Sequence, residues 1–306
     1  MAKTVGKTAR QKELEKLYNK MCGRYSRYEV WQDMVWMVAT AISNAVDKRY
    51  FDQREANYMR IVQKYSEDEI RVFPEFFTHI VMGMEENPDC DFLGELYMDL
   101  ELGNKHAGQF FTPYSVCQMM AECSIDDDLL NKQLERDGYI SINDCACGAG
   151  ATLVAAANHL QKIGINYQMQ ALFVAQDVDA TVALMCYIQL SLLGCAGYVV
   201  IGNTLTEPQV GSVLLGEDSS RCWFTPMYFH EVWSTRRAID QARRMFHAVA
   251  TVPPEAAAAS PIASIPEAAA SESAPEPVVE EPEAQDQPTF TVSAKKKNAG
   301  QIMLDL

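Results

Sequence analysis

Apolar residues in the first hundred positions recur at intervals of three and four. In the clearest stretch they are Val30, Met34, Val35, Val38, Ile42 and Val46. This spacing places side chains on one face of a helix, and residues 50–64 and 70–84 repeat it. We therefore predict a helical N-terminal domain over residues 1–102, with its large side chains in the core.

One cluster within that domain has a second interpretation. It consists of Trp31, Met34, Trp36 and Met37. Aromatic side chains of this kind can serve as a platform on which nucleic-acid bases stack. Their helical spacing favours the core instead, and the core is what we expect.

Beyond residue 138 the pattern changes to short apolar runs that alternate with longer amphipathic segments. The runs predict strands at residues 139–143, 170–175 and 198–201, and the segments between them predict helices at residues 151–163 and 181–193. Such alternation is typical of a parallel sheet built from strand–helix–strand units. Three strands are fewer than a full sheet of this class contains.

The end of the chain differs in composition. Residues 251–306 hold eight of the thirteen prolines, nine acidic residues and three lysines, so they offer too little apolar surface to offset the entropy lost on ordering. We expect a disordered linker over residues 251–300. The net charge of the whole chain is −15, which argues against a protein that coats nucleic acid uniformly.

The first 27 residues, by contrast, carry eight basic residues against two acidic ones. A positive arm of this kind suits contact with phosphates. A solvated helix face explains the same residues equally well, and the sequence leaves both interpretations open.

The cysteine, histidine and hydropathy patterns argue against several classes of protein. The nine cysteines contain no CxxC pair, and the five histidines lack the spacing of metal ligands. We expect reduced thiols and no metal site. No apolar stretch approaches the ~20 residues that span a bilayer, and no early signal-peptide pattern is present, so we expect a soluble, cytoplasmic protein without a membrane partner.

A glycine-containing turn lies between the first predicted strand and the helix that follows it. Its sequence is Asp144-Cys145-Ala146-Cys147-Gly148-Ala149-Gly150. Glycine lets the backbone turn sharply and approach a ligand closely, and the N-terminus of the next helix presents free N–H groups. The turn predicts a site for a nucleotide-like cofactor.

Two acidic residues, Asp177 and Asp179, follow the second predicted strand. In dinucleotide-binding folds a carboxylate at this point accepts hydrogen bonds from ribose hydroxyls. We therefore expect an adenosine ribose beside this pair. The alternative is that it caps the helix beginning near Thr181.

Four blocks of the sequence resemble the adenine-specific DNA methyltransferases related to the modification subunits of type I restriction systems. Residues 108–113 resemble that family's GQ(F/Y)(F/Y)TP block, residues 144–150 its DPACG(T/S)G loop, residues 175–177 its GQE block and residues 202–205 its GD(T/S)L block. Residues 91–97 are also similar to the DxLGxxY element that precedes the first block. The order and spacing of the four blocks agree with the family.

The resemblance implies an α/β fold, namely a Rossmann-like S-adenosylmethionine-dependent methyltransferase sheet over residues 103–250. We expect this sheet to be incomplete, preceded by the helical domain and followed by the disordered tail. The residues that the resemblance assigns to S-adenosylmethionine are Gln109, Phe111, Thr112, Pro113, Asp144, Ala146, Cys147, Gly148, Gly150, Asp177, Asn203 and Leu205.

Several of these residues depart from the family pattern. Cys145 and Ala149 stand where the family has proline and a hydroxyl residue, and Asp177 stands where it has glutamate. Asn203 replaces the acid that contacts the adenine amino group. An amide oxygen can still accept that hydrogen bond, so we expect cofactor binding to persist in weakened form.

The family's catalytic (N/D)PP(Y/F) tetrapeptide does not occur in the sequence. In the family its first side chain grips the target amino group, and its aromatic ring stacks on the base flipped out of the duplex. The nearest candidates are residues 224–228, where Thr225 offers one hydroxyl, and residues 87–89. Both fit the pattern poorly, and we assign no catalytic residue.

Two functions are compatible with this sequence. The first is an adenine-N6 DNA methyltransferase, of a restriction-modification or mobile-element system, whose catalytic groups are divergent or come from a partner subunit. The second is a catalytically inactive relative that binds S-adenosylmethionine or DNA as an accessory protein. In both cases we expect DNA as a partner and a location at the bacterial nucleoid.

Two further segments suggest partners. A candidate DNA face consists of Trp223, Trp233, Arg236, Arg237, Arg243 and Arg244, although an amphipathic helix with arginines near its C-terminus is the favoured alternative. Residues 301–306 resemble the QLxLxL form of the bacterial sliding-clamp-binding peptide. A short apolar segment on a flexible linker suits such docking, which adds the bacterial sliding clamp to the expected partners.

Overall fold

The structure, a computed structural model, describes residues 7–103, 111–125, 127–209, 212–250 and 301–303. Beyond these ranges lie Gln109 and the predicted disordered linker.

Helices dominate the described part of the chain before residue 138, and strands appear after it. The helices are α1 (Ala9–Met21), α2 (Arg27–Val46), α3 (Phe51–Val62), α4 (Glu67–Ile70), α5 (Val72–Glu86), α6 (Phe92–Asp99), α7 (Tyr114–Ser124), α8 (Asp127–Asp137), α9 (Ala151–Lys162), α10 (Tyr167–Gln170), α11 (Ala180–Leu192) and α12 (Glu231–Ala250). The strands are β1 (Ile140–Asp144), β2 (Ala171–Asp177), β3 (Ala196–Ile201), β4 (Cys222–Phe224) and β5 (Gln301–Met303).

The strands form one sheet in the order β4-β3-β2-β1-β5. Strands β1, β2 and β3 are parallel, and helices α9 and α11 connect them. Strand β4 runs antiparallel to β3 at one edge. The predicted α/β class is confirmed, and each predicted strand and helix of this region lies within two residues of its observed bounds. Nearly continuous burial along β2 and β3 explains their unbroken apolar sequences.

At the other edge of the sheet, β5 pairs in parallel with β1, so that Ser141 lies beside Gln301 and Asn143 beside Met303. The backbone of these three residues thus occupies the outer side of β1. Residues 304–306 of the predicted clamp-binding peptide lie outside the described residues.

The N-terminal helices share a core with the helices that cover the sheet. Trp31 of α2 packs edge-on against Phe76 at a ring-centroid distance of 5.8 Å and lies 5.9 Å from Tyr97. Its indole N–H donates to Met185 Sδ of α11 at 3.4 Å. Trp31, Met34 and Met37 are buried, as expected, whereas Trp36 is only partly buried.

A smaller apolar cluster lies on the other face of the sheet. It contains Leu172, Val174, Tyr198, Phe224, Tyr228 and Trp233. The contacts of the chain group residues 1–241 with residues 300–306 as one compact unit and residues 242–299 as another. The domain boundary near residue 102 stays a prediction.

Three of the seven basic residues that the structure describes in the N-terminal arm form ion pairs within the protein. Lys7 bonds Glu15 at 2.8 Å, and Arg10 bonds Glu86 at 2.9 Å. Lys16 bonds Glu13 one turn away. These contacts favour the solvated helix face over a phosphate-binding arm. Within the described ranges, no helix is both long and apolar enough to cross a membrane.

The turn before α9 requires glycine for two reasons. Gly150 has a φ of +94°, and a Cβ there would lie 2.7 Å from Cys186 Sγ. Gly164, at the other end of α9, has a φ of +84° but open space around it. We expect Gly150→Ala to lower the free energy of unfolding by about 2–4 kcal/mol, from strain plus overpacking.

Urea denaturation monitored by circular dichroism measures this effect. The matched control, Gly164→Ala, carries the backbone strain alone and should cost about 1 kcal/mol. Equal losses in the two variants would show that contact with Cys186 does not matter.

Candidate functional site

The turn after β1 is fixed by the last residue of that strand. The Asp144 carboxylate accepts a hydrogen bond from the Ala146 N–H at 3.0 Å and another from the Thr152 hydroxyl on the first turn of α9. Burial raises the pKa of Asp144, and the nearby Asp177 carboxylate raises it further, whereas the two hydrogen bonds lower it. One side chain therefore connects the strand, the turn and the helix.

Asp177, at the end of β2, closes the same turn from the neighbouring strand. Its Oδ2 accepts a hydrogen bond from the Gly148 N–H at 2.8 Å, and its Oδ1 accepts one from the Asp179 N–H at 2.9 Å. Burial is the largest influence on its pKa and raises it. The structure thus brings Gly148 and Asp177 together, as the sequence predicts, and each carboxylate oxygen keeps a second lone pair for a ligand.

Asp179 has a different role from Asp177. Its carboxylate accepts from the backbone N–H groups of Thr181 at 2.8 Å and Val182 at 3.4 Å, which makes it the N-cap of α11. The two interpretations of the acidic pair therefore apply to different residues: Asp179 caps the helix, and Asp177 faces the glycine turn.

The loop after β3 is the third loop at the carboxyl edge of the sheet. The Gly202 N–H donates to the Asp177 carbonyl at 2.9 Å, and the Thr204 hydroxyl donates to the Cys145 carbonyl at 2.6 Å. Asn203 is exposed, and its Oδ1 accepts from the Leu205 N–H at 2.9 Å. The carboxyl ends of three adjacent strands thus meet in one hydrogen-bonded surface.

Two apolar side chains stand out of this surface. Val178, directly after Asp177, is 70% exposed, and Leu205 is 92% exposed. They lie on the loops that follow neighbouring strands, because Asp177 pairs with Ile201. Exposed apolar groups at a polar edge suit a flat, apolar ring. Val178 was not among the residues predicted for the site, although a large apolar residue between two aspartates was the available signal.

A buried glutamine supports the turn from below. Gln189 of α11 donates to the Ala149 carbonyl and to Asp91 Oδ1, both at 2.8 Å, and accepts from the Leu93 N–H at 3.1 Å. Asp91 also caps α6 by accepting from the Gly94 N–H. Sequence analysis missed Gln189, because a polar residue within an apolar helix gives no sign of its partners.

The block at residues 111–113 lies beside the turn. The Phe111 ring stacks on Tyr97 of α6, with centroids 5.6 Å apart, and lies 3.5 Å from the position of a Cβ on Gly148. Thr112 and Pro113 follow directly, and Pro113 precedes the first turn of α7.

The remaining predicted residues belong to the turn itself. The Cys147 N–H donates to the Gln176 carbonyl at 3.0 Å, and the Cys147 thiol is buried. Gly150 begins α9, and the described residues provide no side-chain cap there. The first N–H groups of α9 therefore face the same edge as Asp177, an arrangement that suits an anionic ligand group.

A comparison with protein families identifies the family of this chain. The profile described as N-6 DNA Methylase matches residues 91–261, more than half of the chain. The chain belongs to the N-6 DNA methylase family. The match begins at the cap of α6 and includes all three loops of the site. Among curated proteins, no significant sequence match was found.

Two solved structures are similar to this N-6 DNA methylase family member. One, from Listeria monocytogenes, is described as a class I S-adenosylmethionine-dependent methyltransferase; it shares 13% identity over 76% of this chain and 79% of its own, with a TM-score of 0.36. The other is the type I restriction-modification system methyltransferase subunit of Streptococcus thermophilus, with 14% identity over 66% of this chain and a TM-score of 0.36. This chain covers 45% of that subunit.

Neither candidate for the family's catalytic tetrapeptide lies at this edge. Thr225 is fully buried, and its hydroxyl accepts from the Gly197 N–H at 3.0 Å and donates to the Cys195 carbonyl at 2.7 Å. These partners lie at the amino end of β3, because β4 is antiparallel. The Pro88 carbonyl accepts from Asn158 in the second half of α9, far along that helix from the turn.

The candidate DNA face is not a continuous surface. Trp223 and Trp233 are buried. Arg236 donates to the carbonyls of Met169 and Gly138, at 2.5 and 2.6 Å. Arg237 likewise donates to a backbone carbonyl, that of Tyr228. Trp233, Arg236 and Arg237 stabilise the packing of α12, whereas Trp223 packs against Trp36. These four residues therefore do not form the candidate DNA face, in agreement with the favoured alternative.

No group of three or more His, Cys, Asp or Glu side chains in the described part of the chain could hold a metal ion.

The buried Asp144 carboxylate predicts a pH dependence of stability. Because its pKa is raised in the folded protein, its contribution is fully favourable below the ordinary value of about 4 and is lost as the pH rises through the folded-state pKa. Asp144→Asn keeps an acceptor for Ala146 but removes the charge. We expect stability to fall less between pH 4 and pH 7 in this variant.

Urea denaturation at a series of pH values gives the two slopes. Identical slopes for the natural protein and the variant would contradict the assignment of a strained, buried charge to Asp144.

Proposed function

We propose that this protein binds S-adenosylmethionine at the carboxyl edge of β1, β2 and β3, as the cofactor-binding component of adenine-N6 DNA methylation. The observation that carries the proposal is the hydrogen bond from the Gly148 N–H to the Asp177 carboxylate. It holds a glycine turn, a helix N-terminus and a strand-end carboxylate in one place. Those are the groups that an adenosine-containing cofactor with a charged amino-acid end requires.

The residues of this edge fit the parts of the cofactor. The turn from Asp144 to Gly150 and the start of α9 would hold the methionine end, with Phe111 beside them. The Asp177 carboxylate would accept from the ribose hydroxyls. When bound, S-adenosylmethionine supplies an activated methyl group.

The exposed side chains fit the adenine ring. Val178 and Leu205 would contact its faces, which gives their exposure a reason. The Asn203 oxygen already accepts from the Leu205 N–H, so only its second lone pair is available to the adenine amine. An amide also lacks the charge that strengthens such a bond, which supports weakened rather than absent binding.

Methyl transfer needs groups that grip the target base. The lack of the family's tetrapeptide for this task supports a requirement for a second subunit. The sequence contains no (N/D)PP(Y/F) tetrapeptide, and the Thr225 hydroxyl is engaged at the opposite end of β3. We therefore propose that the base-gripping groups, and any target specificity, come from a partner chain. On this proposal, the protein belongs to a restriction-modification or mobile-element system. It then acts on DNA in the bacterial cytoplasm.

A catalytically inactive accessory protein is the second candidate, and the position of Thr225 favours it. Transfer of tritium from methyl-labelled S-adenosylmethionine to DNA distinguishes the two. Label on DNA adenine supports the methyltransferase. Cofactor binding without label, with the isolated chain and with its partner subunit, supports the inactive relative.

The sliding clamp stays a prediction, and no contact among the described residues supports it. Because Gln301–Met303 pairs with β1, capture of this peptide by a clamp would require its release from the sheet.

Calorimetric titration with S-adenosylmethionine tests the cofactor site. We expect the natural protein to bind, and Asp177→Ala to weaken binding at least about tenfold, because it removes a charged acceptor. The control Asp68→Ala removes a carboxylate whose side chain is 96% exposed and should bind like the natural protein. Equal affinity in all three proteins would refute the role of Asp177.

A further inference from the structure

A cavity of about 420 Å³ lies between α2, α3 and the start of β4. Its volume is in the range of small-molecule sites. None of the residues that line it belongs to the cofactor edge described above. Its lining includes Gln32, Trp36, Gln53, Asn57, Arg60 and Trp223.

The aromatic wall of the cavity is built from two tryptophans. Trp36 is partly buried and packs edge-on against Trp223, with ring centroids 5.6 Å apart. Trp223 is only 2% exposed, and its indole N–H has no hydrogen-bond partner among the described residues. The Trp36 ring therefore combines a fixed orientation with an accessible surface, as stacking of a planar ring requires.

The back of the cavity carries a buried positive charge. Arg54 is 4% exposed, and its guanidinium carbon lies 4.2 Å from the centre of the Trp223 ring. It shares the Asp47 carboxylate, at 3.4 Å, with Arg49, which binds both oxygens of that carboxylate at 2.9 Å. Two guanidinium groups thus share one carboxylate, and Arg54 Nε has no partner among the described residues.

The other charges of the cavity leave it positive. The Asp33 carboxylate accepts from Lys64 at 2.5 Å and from the Tyr65 hydroxyl at 2.7 Å. Lys64 also bonds Glu29 at 2.7 Å, so the four cations Arg49, Arg54, Arg60 and Lys64 stand against the three carboxylates of Glu29, Asp33 and Asp47. Arg60, at the exposed rim, bonds the Asn57 side chain at 2.7 Å. Within the described residues no carboxylate lies within ion-pair distance of Arg60. An anionic ligand group would find a charged donor there.

Amide side chains complete the lining. Gln32, Gln53 and Asn57 carry amide groups that suit the polar edge of a nucleobase, although Asn57 Oδ1 already accepts from Arg60. Gln32 also donates to Thr181 at the start of α11, and Ile201 of β3 bonds the Arg221 carbonyl next to the cavity. Through Gln32, the lining of the cavity contacts the start of α11, the helix that follows Asp179.

We propose that this cavity binds a single nucleotide, with the base stacked on Trp36, its edge on the amides and its phosphate at Arg60. A free nucleotide and an unpaired nucleotide of a DNA strand share this chemistry. If the nucleotide belongs to DNA, the cavity would hold a strand that passes the cofactor edge. This case rests on the function proposed above. The cavity does not depend on cofactor binding.

The probes are thymidine monophosphate, which contains no adenine and so does not mimic the cofactor, and a fluorescent single-stranded dodecamer of thymidine. Calorimetry with the first and anisotropy with the second give the affinities. We expect Arg60→Gln and Trp36→Leu each to weaken binding about tenfold, from loss of a charged donor and of a stacking surface. Trp36→Phe should restore most of the affinity.

The control is Arg71→Gln, which changes an arginine between α4 and α5 whose side chain is 75% exposed; its affinity should equal that of the natural protein. Asp177→Ala should also bind the probes normally, which separates this proposal from the cofactor site. Binding of the dodecamer with competition by the mononucleotide identifies a strand as the source. Binding of the mononucleotide alone identifies a free nucleotide.

Failure of both probes to bind would overturn the proposal. Binding that Arg60→Gln and Trp36→Leu leave unchanged would overturn it as well, because both probes would then occupy another surface.

Discussion

A single hydrogen bond, from the Gly148 N–H to the Asp177 carboxylate, joins the ends of two neighbouring parallel strands. A parallel sheet brings its carboxyl ends to one edge but leaves the loops there independent. Here the same carboxylate also accepts from the Asp179 N–H, and the Asp177 carbonyl accepts from Gly202 on the third strand. The three loops become one surface because Asp177 contacts all of them.

This arrangement places carboxylates in the protein interior, and their burial lowers the free energy of unfolding. Burial raises the pKa values of Asp91, Asp144 and Asp177, so each ionised carboxylate destabilises the fold relative to its ordinary state. Hydrogen bonds from Gln189, Thr152 and Gly148 offset part of that cost. Carboxylates with pKa values shifted by burial are common at functional sites and also occur in structural networks.

The sequence predicted the sheet and the turn because continuous apolar runs and paired glycines are local signals, and the acidic pair was found in the same way. The direction of the fourth strand and the packing partners of individual side chains could not be predicted from the sequence. Thr225 looked like a catalytic candidate only because the antiparallel course of β4 is invisible in the sequence. Trp36 has the helical spacing of core residues, yet its ring borders a cavity. The neighbouring wall of that cavity is formed by Arg54 and Trp223, which lie on other elements of the chain, α3 and β4. Gln189 and Val178 have roles set by distant partners.

Amide hydrogen exchange with and without S-adenosylhomocysteine, the demethylated form of the cofactor, tests the central claim most directly. Adenosine held between the turn and Asp177 predicts slower exchange in peptides covering residues 145–153, 178–182 and 202–205, and unchanged exchange in α5, which shares no loop of the site. Saturating ligand that leaves those three segments unprotected, or that protects another part of the chain, would contradict the account.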